Sequence, residues 1–203
     1  LADRNQRDEF LLKTFETARA SGRRPYMIPY GGSNWLGAYA YLLAVQEFLS
    51  QGVQADWIVF PSSSGGTHAG LALGARLSGF SGKVLGISVD EPAEMLKTNV
   101  AALANQTAEN LDEAVRLQPE DILVNADYTG AGYGIMGQNE LEAIRLFARM
   151  EGLLLDPVYT GRAAAGLIDL ISKGFFRRDE TVVFWHTGGT PALFADQYRP
   201  MLL

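Results

Sequence analysis

A run of small and hydroxylated residues separates an apolar stretch from a segment rich in Ala, Leu and Gly. Its centre reads Ser63-Ser64-Gly65-Gly66-Thr67. Glycines let the backbone turn so that successive N–H groups face inward, and a following helix adds the positive end of its dipole. The pattern predicts an anion site, with phosphate as the natural ligand; the alternative is an ordinary strand-to-helix turn with polar caps. It is not a Walker A loop, because no Gly-Lys-Ser/Thr follows.

A second glycine-rich segment, Gly132-Tyr133-Gly134-Ile135-Met136-Gly137, matches G-x-G-x-x-G and precedes a predicted helix. Asp156 follows about 20 residues later, as in the dinucleotide-binding fingerprint. The first glycine, however, lies well beyond the preceding predicted strand, where the fingerprint requires an immediate turn. The segment is therefore interpreted as a loop that presents Tyr133, with nucleotide binding as the alternative.

Composition excludes several classes of function. The chain has 17 Lys and Arg against 23 Asp and Glu, a net charge of −6, so it lacks the basic surface that nucleic acids and anionic lipids require. With no Cys, disulfides and thiolate chemistry are excluded, and the only two His, His68 and His186, lack the spacing of a metal site. No apolar run reaches the roughly 18–20 residues of a membrane helix, and no signal-peptide pattern is present. A cytoplasmic protein is predicted.

Periodicity and turn residues predict alternating strands and helices. The predicted strands are Tyr26–Tyr30, Trp57–Phe60, Val84–Val89, Ile122–Val124, Leu153–Leu155 and Thr181–Trp185. The predicted helices are Asp8–Ala20, Trp35–Leu49, His68–Leu77, Pro92–Leu117 with a break near Asn105, Glu140–Met150, Arg162–Ser172 and Thr190–Tyr198. Apolar strands alternating with helices indicate an α/β fold with a parallel sheet and helices on both faces. Ligands of such sheets bind beyond the carboxyl ends of the strands.

Four segments together resemble one family, the D-cysteine desulfhydrase and 1-aminocyclopropane-1-carboxylate (ACC) deaminase group of fold-type II pyridoxal-phosphate (PLP) enzymes. They are Ile28-Pro29-Tyr30-Gly31-Gly32-Ser33-Asn34, Ser63-Ser64-Gly65-Gly66-Thr67-His68-Ala69-Gly70-Leu71, Leu155-Asp156-Pro157-Val158-Tyr159-Thr160-Gly161 and His186-Thr187-Gly188-Gly189-Thr190-Pro191. Each segment alone is modestly specific, but their joint occurrence in this order is a strong signal. The similarity covers nearly the whole chain. The resemblance implies a tryptophan synthase β-like fold.

The resemblance also implies roles for individual residues. The loop Ser63–Thr67 matches the segment that holds the PLP phosphate, in agreement with the anion site predicted above. Tyr133 and Tyr159 match the two active-site tyrosines, with Tyr159 against the cofactor ring and Tyr133 toward the substrate. Thr187 matches the hydroxyl that meets the pyridine nitrogen in the desulfhydrases, and Gly188 beside it is assigned to the same cofactor site.

Thr160 helps to choose between the subfamilies. ACC deaminases have a similar segment, but a Glu stands directly after the tyrosine that matches Tyr159, where this chain has Thr160. A carboxylate keeps the pyridine nitrogen protonated, whereas the hydroxyl of Thr160 or Thr187 supplies no charge. A hydroxyl suits β-elimination, in which the leaving thiolate departs soon after the α-proton is lost. The expected reaction is therefore D-cysteine, or a related β-substituted amino acid, to pyruvate, ammonia and sulfide. ACC deaminase and cysteate sulfo-lyase are alternatives within the class; a non-catalytic phosphate-binding module and an NAD-dependent oxidoreductase are alternatives outside it.

One departure from the family concerns the lysine that binds PLP covalently and moves the α-proton. In the family this lysine follows a Gly-Asn, and none of the four lysines here, Lys13, Lys83, Lys97 and Lys173, has that setting. The chain is accordingly expected to be the C-terminal portion of a longer enzyme, incomplete at its N-terminus. Residues 1–34 would end the small domain, and residues 35–203 would form the C-terminal part of the large PLP-binding domain. The resemblance further implies a small amino-acid substrate and a homodimer.

Overall fold

Within residues 6–202, which the computed structural model describes, four parallel strands form one sheet in the order β3-β2-β1-β4. The strands are β1 (Trp57–Ser62), β2 (Lys83–Ser88), β3 (Leu123–Asn125) and β4 (Val182–Phe184). The central strand β1 is buried along its whole length, as expected for an apolar strand that is covered on both faces. The chain moves outward from β1 to β3 and then returns to place β4 on the other side of β1.

Seven α-helices surround this sheet in the described part of the chain. They are α1 (Arg7–Ala20), α2 (Trp35–Ser50), α3 (Gly66–Leu77), α4 (Ala93–Asn110), α5 (Gln138–Glu151), α6 (Thr160–Ser172) and α7 (Arg199–Leu202). Short 3-10 turns occupy Tyr30–Gly32, Pro119–Asp121 and Thr190–Phe194. The predicted α/β class, with a parallel sheet between two helical layers, is confirmed. No helix in residues 6–202 has both the length and the apolar character needed to cross a membrane.

Alternation along β1 assigns the helices to the two faces of the sheet. Trp57 and Val59 pack with α6, through residues such as Leu167. Ile58 and Phe60 point the other way and pack with residues of α2 and α3. The helices α2, α3 and α4 pack together on that face, and α5 packs beside α6 on the opposite one. The carboxyl end of β1 is thus held from both sides.

Close packing of α3 on α2 depends on a glycine. A Cβ at Gly70 would overlap the carbonyl oxygen of Ala38 and lie 2.6 Å from the Cβ of Tyr41. Any side chain at this position would therefore force the two helices apart. The start of α3, which carries the predicted anion loop, is fixed in place by this contact.

Two predicted strands are wrong. The segment Tyr26–Tyr30 runs into the 3-10 turn at Tyr30, and Leu153–Leu155 has no strand assignment. Neither pairs with a strand among the described residues, and a strand without a paired neighbour leaves its N–H and C=O groups unpaired by any ladder. Ile28 and Leu154 are correspondingly exposed.

Two predicted helices also differ from the structure. The helix predicted to reach Leu117 with a break near Asn105 is unbroken and ends at Asn110. The Asn105 side chain points away from its own helix and hydrogen bonds both backbone groups of Leu117, which lies beyond the helix end. The last predicted helix, Thr190–Tyr198, is only a 3-10 turn at Thr190–Phe194, which ends because Ala195 has an extended backbone. The short α7 begins after the predicted range, at Arg199.

Candidate active site

A cavity of about 270 Å³ opens at the carboxyl ends of β1 and β4, where open α/β sheets bind ligands. Three loops that are distant in sequence meet there: the one after β1, the one after β4 and the turn before α6. The lining residues are Gly31, Tyr41, Pro61, Ser62, Ser63, Ser64, Gly65, Gly66, Thr67, His68, Tyr159, Thr187, Gly188 and Gly189. The structure thus brings the predicted loop Ser63–Thr67 together with Tyr159, Thr187 and Gly188.

The loop after β1 has the geometry of an anion cradle. Gly65, with φ +88°, is the residue that directly precedes α3. The first N–H groups of a helix lack an acceptor within the helix and carry the positive end of its dipole. One of them, the N–H of Gly66, donates to Ser33 Oγ at 3.0 Å, and Ser33 Oγ donates to Ser64 Oγ at 2.8 Å. The 3-10 turn before α2 therefore braces the cradle from outside.

Two consecutive serine hydroxyls, at the end of β1 and the start of this loop, are hydrogen bonded to side chains from other segments. Ser63 Oγ donates to Asp90 Oδ1 at 2.7 Å. Ser62 Oγ lies 3.0 Å from Nδ1 of the buried His68. Burial of the imidazole lowers the pKa of His68 to about 3, so this ring is neutral at physiological pH. His68 is thus a packed core residue whose Nδ1 is hydrogen bonded.

Asp156 fixes the turn that presents Tyr159. Its buried carboxylate accepts hydrogen bonds from the N–H groups of Val158, Tyr159 and Thr160 at 2.7–2.8 Å. The carboxylate lies under Gly189, where a Cβ would come within 2.7 Å of the Asp156 Cγ. Asp156 therefore couples the Tyr159 turn to the loop after β4.

Thr160, predicted to contact the cofactor, does not line the cavity. Its side chain is fully buried; the hydroxyl donates to Asp156 Oδ1 at 2.7 Å and accepts from the Asp156 N–H at 2.8 Å. Both interactions stay within the turn. The structure places Thr160 as a support for the backbone at Tyr159 and not as a cavity-facing hydroxyl.

The two predicted tyrosines contact each other; Tyr159 lines the cavity, and Tyr133 reaches it only through Tyr159. The phenol groups of Tyr133 and Tyr159 hydrogen bond each other, and their rings pack edge to face with centroids 5.8 Å apart. Burial raises the pKa of Tyr159, and the hydrogen bond with Tyr133 raises it further. Burial likewise raises the pKa of Tyr133. Both phenols therefore stay protonated at neutral pH and can act as hydrogen-bond donors.

A buried arginine holds the loop that carries Tyr133. Arg162, on α6, is only 1% exposed; its Nη1 donates to the carbonyl of Gly132 at 3.1 Å, and its Nη2 donates to that of Ile135 at 2.7 Å. The same Nη1 donates to the carbonyl of Val89, just after β2, at 2.7 Å. The loop is thereby attached to both α6 and the sheet.

Charge balance for Arg162 comes from Glu140 in the first turn of α5. Arg162 Nε donates to Glu140 Oε1 at 2.9 Å, and both side chains are buried. Glu140 Oε2 also accepts from the N–H of Gly137, at the end of the loop. A third attachment is the Tyr198 hydroxyl, which donates to the carbonyl of Gly134 at 2.6 Å. Backbone groups along this loop, from Gly132 to Gly137, are thus hydrogen bonded to buried side chains.

The dinucleotide interpretation of Gly132–Gly137 is wrong. The segment does not form a tight strand-to-helix turn, because β3 ends at Asn125, well before it. The acidic residue that the fingerprint would use, Asp156, is fully occupied in capping its own turn. The glycines instead shape a loop that presents Tyr133.

The loop after β4 forms the remaining wall of the cavity. Gly188 has φ +94°, and its N–H donates to His186 Nδ1 at 3.1 Å. This turn places Thr187 in the cavity wall together with the cradle residues. No carboxylate occurs among the described residues that line the cavity.

Three residues that hold the site in place have no assigned role in the sequence: Ser33, Asp90 and Arg162. Ser33 lies inside a segment that resembles the family, which is the only signal for it. Asp90 follows a predicted strand end, but nothing local shows that it reaches Ser63. Arg162 was read as the first residue of a helix, and its burial depends on long-range packing.

A larger groove of about 810 Å³ lies between α5 and α6. Arg162 and Glu140 form part of its lining, so it borders the Tyr133 loop from the outside. It contains neither the cradle nor the loop after β4. The smaller cavity therefore remains the candidate active site.

The residues present fit a phosphate-bearing cofactor. The cradle offers hydroxyls and helix N-terminal amides, and any side chain at Gly66 would collide with Ser33, as its Cβ would lie 2.7 Å from Ser33 Oγ. The cavity beyond the cradle is bounded by the Tyr159 ring and the Thr187 hydroxyl. An open parallel α/β sheet with an anion cradle after its central strand and a tyrosine in the cavity wall defines a class: enzymes that anchor a cofactor by its phosphate.

Comparison with known proteins gives the family. The family model described as pyridoxal-phosphate dependent enzyme matches residues 2–188, and the chain belongs to this family. The cofactor of the family is PLP, as predicted. A solved structure described as an ACC deaminase homologue is 34% identical, with a TM-score of 0.87, and the match covers 98% of this chain.

Other similar structures share the fold at lower identity. An L-serine ammonia-lyase from Rhizomucor miehei is 16% identical with a TM-score of 0.51; the match covers 82% of this chain and 56% of that one. A hydrogen sulfide-producing enzyme from Fusobacterium nucleatum is 16% identical with a TM-score of 0.54; the match covers 89% of this chain and 58% of that one. The predicted fold-type II architecture is confirmed. The chain spans 61% of the length of the ACC deaminase homologue.

Proposed function

We propose that this chain belongs to a PLP-dependent β-elimination lyase that converts D-cysteine, or a related β-substituted amino acid, to pyruvate, ammonia and sulfide. The observation that carries the proposal is the character of the cavity wall. Thr187 supplies a neutral hydroxyl there, and no carboxylate occurs among the described lining residues. A neutral partner leaves the pyridine nitrogen without a fixed proton, which suits a reaction whose leaving group departs early.

The chemistry that bound PLP supplies is electron withdrawal from the α-carbon of an amino acid. The net reaction consumes one water: D-cysteine and water give pyruvate, ammonia and hydrogen sulfide, with no change in overall oxidation state. In this proposal Ser63–Thr67 hold the phosphate. Tyr133 and Tyr159, kept protonated by burial, hold protons at their phenol oxygens on the substrate side. Thr187 offers its hydroxyl to the ring nitrogen.

The covalent lysine of this proposal does not come from the cavity wall. None of the four lysines lies there. Lys97 pairs with Glu94 and Lys173 with Asp169, whereas Lys83, at the opposite end of β2, lies over the Trp57 ring at 4.6 Å. We therefore place the lysine in a segment outside these 203 residues, with residues 1–34 ending the small domain and 35–203 belonging to the PLP-binding domain. A cytoplasmic homodimer acting on a small amino acid completes the proposal.

The test uses the full protein, loaded with PLP, and four substrates. D-cysteine should yield sulfide and pyruvate in equal amounts, and L-cysteine should yield much less. Formation of 2-oxobutyrate from ACC would support the deaminase alternative, and sulfite from cysteate the sulfo-lyase. If none of the four substrates gives a product while PLP is bound, the desulfhydrase, ACC deaminase and sulfo-lyase activities are all excluded.

The variant Thr187→Ala tests the observation that carries the proposal. Removing the cavity hydroxyl should lower kcat/KM for D-cysteine by about 5-fold, because a neutral hydrogen bond contributes roughly 1 kcal/mol. Thr190→Ala is the matched control: the Thr190 hydroxyl donates to the carbonyl of Leu154 at 3.2 Å, outside the cavity. Equal losses in both variants would contradict a role for Thr187 at the cofactor.

A second candidate, a non-catalytic module that holds a phosphate ligand, is favoured by the missing lysine alone. PLP titration of this chain followed by borohydride reduction separates the two. Reversible binding without a reduced adduct at the cavity is expected for this chain under either candidate. Only the lyase acquires a reducible adduct at the cavity in the full protein.

A further inference from the structure

The groove of about 810 Å³ between α5 and α6 is lined by acidic and basic side chains together. Two of its ion pairs are complete within the chain: Glu140 with Arg162, and Asp169 with Lys173. The buried Glu140–Arg162 pair forms the floor of the groove and holds the loop that carries Tyr133. On α5 the lining also carries charges that no residue of the described chain neutralises.

Those charges are Glu142 and Arg149, which are both exposed. Neither has an ion-pair partner within residues 6–202. Glu142 accepts a hydrogen bond from the neutral amide of Gln138 at 2.8 Å, and Arg149 donates to the carbonyl of Arg145 at 3.3 Å. An acid and a base on one helix are therefore both available to a partner.

An exposed leucine lies between the two charges. Leu146 is 40% exposed and lines the groove, and Met150, one turn further along α5, is 71% exposed. Positions 142, 146 and 149 fall on one face of the helix, because steps of three or four residues are close to a full turn. This face presents acid, leucine and base in that order, away from the buried Ile144.

We propose that this face of α5 is a dimerisation surface and that its partner is a second copy of the same chain. Two copies of α5, antiparallel about a two-fold axis next to Leu146, place Glu142 of each copy opposite the partner's Arg149. The two charged positions lie about 10 Å apart along the helix, and their midpoint falls beside Leu146, so a single axis forms both pairs. An isologous contact needs a surface that is complementary to itself, and the order acid, leucine, base has that property.

The inference rests on the homodimer of the proposed function and adds the surface that forms it. Contact along α5 removes Leu146 and Met150 from water, and an apolar centre with a charged rim is the usual anatomy of a protein interface. The partner's helix also covers the groove above the Glu140–Arg162 pair. Assembly therefore supports the two helices that position the Tyr133 loop.

Charge reversal in the full protein tests the surface, with the dimer Kd measured by analytical ultracentrifugation. Glu142→Arg and Arg149→Glu should each raise this Kd at least about 100-fold, because each variant creates two contacts between like charges in one dimer. The double variant exchanges the charges and should recover most of the affinity. Glu47→Arg is the matched control: Glu47 is an exposed glutamate of α2, on the other face of the sheet, and its reversal should leave the Kd unchanged.

A cysteine at the proposed axis gives a second measurement that needs no change of charge. These 203 residues contain no Cys, so Leu146→Cys adds a single thiol to each copy. A short bismaleimide should link the two copies of this variant into a covalent dimer, seen on a denaturing gel. Leu43→Cys, 43% exposed on α2, is the matched control and should give no more covalent dimer than the parent.

A dimer whose Kd ignores both single reversals would overturn the inference, and so would equal cross-linking of Leu146→Cys and Leu43→Cys. Either result would show that another segment of the full protein, or solvent, covers this face of α5. A monomeric parent would overturn the inference as well. None of these measurements uses cofactor or substrate, so failure here is distinct from failure to release sulfide from D-cysteine.

Discussion

His68 occupies the first turn of α3, with Nδ1 bound to Ser62 and a ring that packs edge to face on Phe60 at 4.9 Å between centroids. Gly86 on β2 makes room for the imidazole, because a Cβ there would come within 2.6 Å of the ring. Burial lowers the pKa of His68 to about 3. A buried neutral histidine next to the anion cradle couples the stability of the fold to pH.

The free energy of unfolding should fall as the pH is lowered from 6.5 toward 3. In this range the unfolded chain binds a proton at His68, with a pKa near 6.5, and the folded protein does not. His68 alone should account for a loss of about 2 kcal/mol between pH 7 and pH 5. Urea unfolding of His68→Asn across this range should show a correspondingly shallower decline. His186→Asn, at an exposed position, is the control; an unaltered decline in His68→Asn would contradict the prediction.

At the scale of elements, the loop between β3 and α5 depends on the buried ion pair of Arg162 and Glu140. Arg162 makes all its contacts from α6, and Glu140 from the first turn of α5. These helices pack side by side, so their relative position determines where Tyr133 is presented. Loss of one partner leaves the other charge buried and unpaired.

Arg162→Met should therefore destabilise the protein by about 3–5 kcal/mol, as measured by urea unfolding. Arg177→Met is the matched control, because the pair of Arg177 with Asp179 is exposed on both sides and should contribute under about 1 kcal/mol. The double variant Arg162→Met with Glu140→Leu should recover part of the loss. Equal costs for the two arginine variants would show that the pair does not hold the loop.

Local sequence predicted most helices, the four paired strands and the cradle, because capping residues, periodicity and glycine placement are local signals. Asn34, for example, accepts from the Gly37 N–H as a helix cap. It did not predict which apolar stretches lack a partner strand, as at Leu153–Leu155, since pairing is a long-range property. For the same reason the burial of Arg162 and the contact between Tyr133 and Tyr159 had no local signature.

At the scale of the whole molecule, the cavity is assembled from loops on β1, β4 and α6, and a ligand that contacts all three should stabilise the fold by mass action. Pyridoxine 5′-phosphate, which lacks the aldehyde, should contribute about 2.7 kcal/mol at a concentration 100 times its Kd. The expected rise in Tm is about 5–10 °C for a chain of this size. Differential scanning fluorimetry measures it.

Gly65→Val should abolish this rise, because Gly65 has φ +88° and a Cβ there would lie 3.2 Å from Val100. Gly79→Val is the control: Gly79 has φ +67° but open space around it, so the backbone strain is similar and the cradle is untouched. A rise in Gly65→Val equal to that of the parent would contradict phosphate binding at the cradle.

The sheet order β3-β2-β1-β4 has a consequence for how the protein forms on the ribosome. The strands β1, β2 and β3 pair successively as they are synthesised, whereas β4 pairs with β1 across a long stretch of chain; the bond from the Thr181 N–H to Asp56 spans 125 positions. Such long-range pairing is entropically slow. We expect a nascent chain to form the anion cradle early and to gain Thr187 and Gly188 last. Cofactor capture would then mark the end of folding.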